Sequence, residues 1–291
     1  MNTNSFAGEA FGARSFTPPT LTQPINVGHF TSVPWIPNYC GSDHWPVNLV
    51  RCESSGVREL VEAGRLDVTP MAVADWIELK DDWKRLGNRG IAIKRRADSV
   101  LFFSQEPLSE LDGADVAICG ETQNSVRVLQ ALLTQKYGLR IGNWRRDVDV
   151  DDNRTPRLLI QNQAMEERAR GRFRYEFDLG EEWFSWQGLP LVSAIWVHRA
   201  DLDPAAVAHV EDLVAASMRN YRADPAAAVA KHRSKFGWTR SAADVELLHK
   251  NFDYELGPAA EMGIERQSEI LPREVAGFTP VSTSSSQLVS A

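Results

Sequence analysis

A segment rich in hydroxyl and amide side chains, Cys119-Gly-Glu-Thr-Gln-Asn-Ser125, stands between a short apolar run and an amphipathic stretch. This pattern predicts a loop that opens a helix, where free backbone N–H groups meet the side chains of Thr122, Asn124 and Ser125. Such a helix end attracts carboxylate or phosphate groups, because its N–H groups are unpaired and its dipole is positive there. The segment therefore indicates an anion site. The alternative is that Thr122 or Asn124 only caps the helix.

Four further residues have types and positions that suit ligand binding. Thr69 follows a predicted strand that we expect to stop at Thr69-Pro70, and Ser99 precedes the apolar run VLFFS. Open α/β sheets bind ligands at the carboxyl ends of their strands. His29 lies near another strand end and can act as a base near neutral pH, while Trp35 offers a flat surface for a ring. The alternatives are an ordinary turn at Ser99 and plain core packing for His29 and Trp35.

The elements that would position these residues alternate between strand and helix. Apolar runs such as Ile25–Phe30, Val47–Cys52 and Asp115–Cys119 predict strands, and helical spacing of apolar residues follows Ser125. From Asp203-Pro204 onward the pattern predicts helices only. Alternating units followed by a helical end predict an α/β fold with mixed sheets and flanking helices. The polar groups then fall at strand ends of two different units, as a cleft between two lobes requires.

The stretch FDLGEEWFSWQGLPLVSAIWVHR contains a helix, a tight turn and a strand. Asp178 and Glu181 have the spacing of a capping box, in which each side chain bonds a free N–H of the first turn. Gly188 suits the left-handed residue that ends a helix. The run Leu191–Val197 is apolar and partly β-branched, which predicts a buried strand.

Composition limits the function classes. The chain has 291 residues and a formal net charge of −7, so it lacks a general attraction for nucleic acid or anionic membranes, and we expect neither as a partner. The cysteines Cys40, Cys52 and Cys119 have no metal-type spacing. The six histidines are scattered, and nucleotide-binding glycine motifs are missing. We therefore expect no metal and no cofactor. The first residues lack the apolar core of a signal peptide, so we expect a cytoplasmic protein.

Several blocks together resemble the chorismate dehydratase family of the futalosine route to menaquinone. They are GRLDVTP, ADSVLFFSQEPLSELDGADVAI, LLIQNQA, FDLGEEW, GLPLVSAIW and LHKNFDYELGPAA. The resemblance runs from about Ile25 to about Ile270. It implies the two-lobed fold of type II periplasmic binding proteins, used in the cytoplasm as a cofactor-independent enzyme. The implied reaction is the dehydration of chorismate, a small anionic cyclic carboxylate, to 3-(1-carboxyvinyloxy)benzoate.

The resemblance also suggests domain limits and site roles. We expect a flexible leader at 1–23, a first lobe at 24–108 plus 200–275, a second lobe at 109–199 and a flexible tail at 276–291. The oligomeric state is not predicted. The expected roles are carboxylate binding by Thr122, Asn124 and Ser125, polar contacts by Thr69 and Ser99, a ring wall at Trp35, a base or carboxylate donor at His29, and a partner for the leaving hydroxyl at Asn162.

Three departures from the family pattern keep other functions open. Gly28 and Pro37 match the N-terminal motif, but Pro34 stands where the family has an active-site asparagine. Gln161-Asn162 stands in place of a Gly-Asp pair, and the segment after Leu-Asp-Val has fewer hydroxyls. The alternatives are a different non-redox reaction in specialised metabolism, or a non-catalytic binder of a small aromatic acid.

Overall fold

The computed structural model describes residues 24–118, 124–146, 148–149, 151–237 and 241–275. The predicted leader, the predicted tail and Thr122 lie outside these ranges. None of the helices within the described residues is long and apolar enough to cross a membrane.

The described chain forms strands and helices in alternation. The strands are β1 (Asn26–His29), β2 (Asn48–Arg51), β3 (Val68–Ala72), β4 (Trp83–Ile93), β5 (Val100–Ser104), β6 (Val116–Ile118), β7 (Trp144–Arg145), β8 (Arg157–Ile160), β9 (Tyr175–Asp178), β10 (Leu191–Arg199) and β11 (Phe252–Glu255). The α-helices are α1 (Val57–Glu62), α2 (Val73–Leu79), α3 (Asn124–Ala131), α4 (Gln161–Arg170), α5 (Leu179–Gln187), α6 (Pro204–Ala223), α7 (Pro225–Phe236), α8 (Ala242–His249) and α9 (Pro258–Ile270). Short 3₁₀ helices span Val33–Tyr39, Ser42–His44 and Leu108–Glu110, and a π-helical turn, Leu132–Lys136, extends α3.

Two mixed sheets divide these strands. The first has the order β11-β4-β10-β3-β1-β2, and the second has the order β7-β6-β8-β5-β9. In the first sheet β1 runs parallel to β2 and β3, whereas β10 runs antiparallel to β3 and β4. In the second, β6 is parallel to its neighbours and β5 is antiparallel to its own. The predicted α/β class with mixed sheets and flanking helices is confirmed.

The pairing of strands corrects the expected lobe limits at residues 108 and 199. Strand β5 was expected in the first lobe but pairs with β8 and β9 of the second sheet. Strand β10 was expected in the second lobe but lies between β3 and β4 of the first sheet. The chain therefore changes sheets between Ile93 and Val100, and again before Leu191. An apolar run predicts a buried strand, but it does not indicate which distant strands will pair with it.

Two strand predictions also need correction. Strand β3 continues through Thr69 and Pro70 instead of stopping there, and Pro70 fits because β1 pairs with β3 only at Val68. Strand β11 lies within the segment where only helices were predicted, and it adds an edge to the first sheet beside β4.

The stretch that joins the sheets forms as predicted except at one contact. The Asp178 carboxylate accepts hydrogen bonds from the N–H groups of Gly180 and Glu181 at the start of α5. Gly188 ends this helix with φ of 67°, in the left-handed region. The Glu181 carboxylate, however, pairs with Arg96 at 2.8 Å instead of closing the capping box. Strand β10 follows and returns the chain to the middle of the first sheet.

Candidate functional site

A cavity of about 100 Å³ lies between the two sheets. The first sheet contributes Pro70 from β3, Ile91 from β4 and Ser193 from β10, and the second contributes Val100 and Ile160. Both lobes therefore build its walls, which agrees with the predicted cleft.

One wall of the cavity is apolar and aromatic. It is formed by Phe30, which follows β1, by Pro34 and Trp35 of the first 3₁₀ helix, and by Phe252 of β11. The rings of Phe30 and Trp35 have centroids 5.3 Å apart, and Trp35 also packs edge-on against Trp196. Because Phe30 and Trp196 both pack against the indole, Trp35 is a rigid surface suited to a flat ring.

The other side of the cavity carries neutral polar groups at the start of α3. Asn124 and Ser125 are the first two residues of that helix, and both line the cavity. The Nδ2 atom of Asn124 lies 3.4 Å from the Ser193 carbonyl, and its Oδ1 atom is buried without a hydrogen-bond partner. The unpaired N–H groups of a helix start and these side chains together favour an anionic group.

Ser99 joins this polar side from β5. It is buried, its hydroxyl donates to the Ala97 carbonyl at 3.3 Å, and its own carbonyl accepts from the Gln161 N–H at 2.6 Å. The structure thus brings four of the predicted site residues to one cavity: Trp35, Ser99, Asn124 and Ser125.

His29 lies outside the cavity lining, so the structure does not support its predicted role as the base. Its ring packs against Tyr39, with centroids 4.7 Å apart. Burial lowers the pKa of His29 to about 4, and Lys235 and His232 act in the same direction. Phe30, the residue that follows β1, lines the cavity instead.

Thr69 and Asn162 also lie outside the lining. Thr69 is fully buried, and its hydroxyl donates to the Pro70 carbonyl at 3.0 Å. It packs on Gly28, where an added Cβ would lie 2.2 Å from the Thr69 Oγ1 atom. Asn162 is the second residue of α4, and Gln161 before it lines the cavity instead.

Several lining residues were not predicted from the sequence. Ser193 is the single hydroxyl in the apolar run LVSAIWV, and this interruption was the available signal. Its hydroxyl donates to the Ile91 carbonyl at 3.1 Å. Phe30, Ser54 and Phe252 carry no comparable signal, because aromatic and small polar residues occur in every type of element.

The described lining contains no charged or titratable side chain. An anion here would be held by neutral N–H and O–H donors in an apolar enclosure, where such hydrogen bonds are strong. The described lining therefore supplies hydrogen-bond donors and apolar walls. It contains no side chain that could take up a proton as a base.

Side chains from the C-terminal helices and β11 hold the proline-rich segment that carries Pro34 and Trp35. The Thr31 carbonyl accepts from His232, and the Val33 carbonyl accepts from the Nε2 atom of His249, each at 2.8 Å. Since a carbonyl only accepts, each ring nitrogen in these contacts carries the proton.

The other ring nitrogen of His249 therefore accepts from the Tyr221 hydroxyl, at 2.5 Å. Burial lowers the pKa of His249 to about 4, which keeps the ring neutral at pH 7. The hydrogen bonds of His232 and His249 thus fix the segment that carries Pro34 and Trp35.

Ion pairs connect the lobes beside the start of α3. Arg127 of α3 bonds Glu78 of α2 at 2.8 Å, and Arg58 of α1 bonds the same carboxylate. Asp75 of α2 is buried, with both guanidinium groups 3.9 Å from one of its oxygens. These contacts hold α3, and with it the polar side of the cavity, against the first lobe.

Two mixed sheets with a ligand cavity between them define the periplasmic-binding-protein fold. A protein from Archaeoglobus fulgidus, AF1704, matches with a TM-score of 0.67 and 15% identity, over 85% of this chain and 96% of that chain. The aliphatic sulphonate binding protein SsuA of Escherichia coli matches with a TM-score of 0.61 and 10% identity, over 86% and 91%. A Candida albicans protein with the generic periplasmic binding protein fold also has a TM-score of 0.61, at 9% identity, over 85% and 89%.

The family model described as menaquinone biosynthesis matches residues 25–272. The chain belongs to this family. The resemblance inferred from its sequence blocks is thereby confirmed.

Proposed function

We propose that the cavity is the active site of a cofactor-independent lyase that dehydrates chorismate or a related small cyclic carboxylate. The observation that carries the proposal is the composition of the cavity lining, which combines the aromatic side chain of Trp35 with the neutral hydrogen-bonding groups of Asn124 and Ser125. Membership in the menaquinone biosynthesis family supports an enzyme of that pathway.

The reaction places modest demands on a protein. In chorismate the C3 proton is acidic, because the charge left by its loss spreads through the ring double bond to the ring carboxylate. The bond between C4 and its oxygen then breaks, and the leaving hydroxide takes up the proton lost from C3 to become water. The products are 3-(1-carboxyvinyloxy)benzoate and one water. Fixed donors at the ring carboxylate stabilise the developing charge, and no redox step is needed.

The described residues suit these tasks. The start of α3 would hold a carboxylate through free N–H groups and the side chains of Asn124 and Ser125. Trp35 and Phe30 would pack on the ring. The enclosure between the lobes would exclude water and strengthen each hydrogen bond.

The test is mass spectrometry of the purified protein incubated with chorismate, beside an enzyme-free sample that measures spontaneous decay. We expect a product lighter than chorismate by one water. Ser125→Ala and Asn124→Ala should each lower kcat/KM by about tenfold or more, since each removes a donor to a charged group. The matched control is Ser268→Ala, which removes an exposed hydroxyl on α9. Product in the enzyme-free sample at the same rate would end the proposal.

A second candidate is a binder of a small aromatic acid without turnover. It is favoured by the absence of a titratable side chain from the described lining. It predicts a measurable Kd for chorismate in calorimetry, with chorismate recovered intact. A different cofactor-free elimination, consistent with Pro34 at the wall, predicts neither binding nor turnover of chorismate but conversion of another cyclic acid.

A further inference from the structure

Gln161 has a backbone conformation that side chains of L-residues rarely adopt. Its φ of 54° lies in the left-handed region, and among the described non-glycine residues only Asp98 shares this feature. For Asp98 the compensation is visible: its carboxylate bonds Arg96 at 2.6 Å, Arg168 at 2.8 Å and Asn251 at 2.7 Å. Strained residues persist where the surrounding contacts or the function retain them.

Gln161 has no comparable compensation among its described contacts. Its backbone N–H donates to the Ser99 carbonyl at 2.6 Å, a bond that glycine would make equally well. Its side-chain amide forms no hydrogen bond with any described residue. The residue lines the cavity, as do Ile160 and Ser193.

The amide has chemistry that the rest of the polar side offers only in part. It presents two N–H donors and a carbonyl acceptor on a flexible stem, whereas serine offers a single short hydroxyl. In the resemblance described above, a glycine occupies this position. Compared with that glycine, Gln161 places a long polar side chain in the part of the cavity wall that is formed by the start of α4.

We propose that Gln161 is a specificity-determining residue whose amide hydrogen-bonds an oxygen of the bound ligand, a hydroxyl or carboxylate that faces α4. The strained backbone is retained for this contact. The inference rests on the proposed function in one respect only, which is the choice of chorismate as the test ligand.

The test compares two variants that both remove the amide, Gln161→Gly and Gln161→Ala. Calorimetry measures the Kd for chorismate, and thermal unfolding without ligand measures Tm. We expect both variants to weaken the Kd by about tenfold, the loss typical of one hydrogen bond. We expect the Tm of the glycine variant to exceed that of the alanine variant by about 2–4 °C, because only glycine relieves the strain. The matched control is Gln163→Ala, which truncates an exposed glutamine of the same helix.

The outcomes separate the inference from the proposed function. Equal Kd values for wild type and both variants would overturn the inference and leave the function standing. A wild-type protein that ignores chorismate while Gln161→Gly binds it would refute chorismate as the substrate and support Gln161 as the selecting residue. Chorismate binding by none of the proteins would count against both. A fall of Tm in Gln161→Gly below wild type, with an unchanged Kd, would assign Gln161 to folding alone.

Discussion

The hydroxyl of Tyr254 donates a hydrogen bond of 2.8 Å to the carbonyl of Pro34. In a 3₁₀ helix this carbonyl would accept from the N–H three residues later, but that residue is Pro37, which has none. The Thr31 carbonyl, just before this helix, also has a proline three residues later, Pro34, and it accepts a hydrogen bond from His232. Two carbonyls that lie three residues before a proline thus bond donors from distant parts of the chain.

We predict that Tyr254→Phe lowers the free energy of unfolding by about 1–3 kcal/mol, since it leaves the Pro34 carbonyl without a partner. Urea unfolding followed by circular dichroism measures the change, with the m-value expected to stay constant. Tyr175→Phe is the control: it removes a tyrosine hydroxyl outside this network and should change stability by less than about 0.5 kcal/mol. Equal effects of the two substitutions would show that the hydroxyl is not needed at Pro34.

The neutral state of His249 predicts a pH dependence of stability. Burial, as the largest cause, lowers the pKa of His249 in the fold to about 4 from its ordinary value of 6.5. Between these pH values the unfolded chain binds a proton that the folded chain does not, so stability rises with pH through this window. In His249→Gln the slope of unfolding free energy against pH should fall by up to about 1.4 kcal/mol per pH unit.

Unfolding at several pH values from 4 to 8 checks this prediction. Above pH 7 the wild-type and His249→Gln curves should run parallel, separated only by the lost hydrogen bonds. His232→Gln should lower the slope in the same window, since burial also lowers the pKa of His232 to about 4. Curves that stay parallel from pH 4 upward would refute the buried neutral histidine.

Local chemistry predicted much of the fold. The alternation of elements, the cap at Asp178 and the turn at Gly188 depend on residues within a few positions of one another, and they formed as expected. The membership of β5 and β10 in their sheets depends on partners far along the chain, and it could not be read from either strand. The family resemblance predicted the two-lobed fold, which no local rule would have supplied.

Two of the predicted site residues lie next in sequence to a residue that lines the cavity. Phe30 lines the cavity where His29 was expected, and Gln161 does so where Asn162 was expected. His29 is the last residue of β1 and Phe30 follows it, so the end of this strand decides which of the two side chains faces the cavity. At a helix start, the left-handed turn at Gln161 redirects the chain in a way that composition does not reveal. Residue type therefore indicated the region of the site. Backbone geometry decided which of two adjacent residues lines the cavity.

Asp178 supports more than the helix that it caps. Besides two N–H groups of α5, its carboxylate accepts from the N–H groups of Ala97 at 2.9 Å and Asp98 at 2.7 Å, where the chain enters the second sheet. We predict that Asp178→Ala lowers the free energy of unfolding by about 3 kcal/mol, above the roughly 1 kcal/mol of an ordinary N-cap. Asp203→Ala is the matched control, since Asp203 caps only α6. Equal losses in the two variants would reduce Asp178 to a simple cap.

Two carboxylates three residues apart on α2 should respond to pH in opposite ways. Burial raises the pKa of Asp75 in spite of Arg127 and Arg58 nearby. Burial also opposes ionisation of Glu78, but its hydrogen bonds to Arg58 and Arg127 outweigh that effect and lower its pKa. A carboxyl group whose pKa is higher in the folded chain than in the unfolded chain lowers the stability of the protein as the pH rises through that range. A carboxyl group whose pKa is lower in the folded chain adds stability above its unfolded pKa, and this stability is lost as the pH falls.

We therefore predict that Asp75→Asn stabilises the protein relative to wild type more at pH 7 than at pH 3, because the neutral amide avoids the desolvation of a buried charge. Glu78→Gln should destabilise it at pH 7, and this loss should shrink as the pH falls and the wild-type carboxylate is protonated. Urea unfolding of both variants at pH 3, 5 and 7 measures the two trends. Each variant is the control for the other, because both remove one negative charge from the same helix beside the same arginines. If the stability of both variants changed with pH in the same direction, the removal of one negative charge would explain the result. The burial of Asp75 and the ion pairing of Glu78 would then not be needed to explain it.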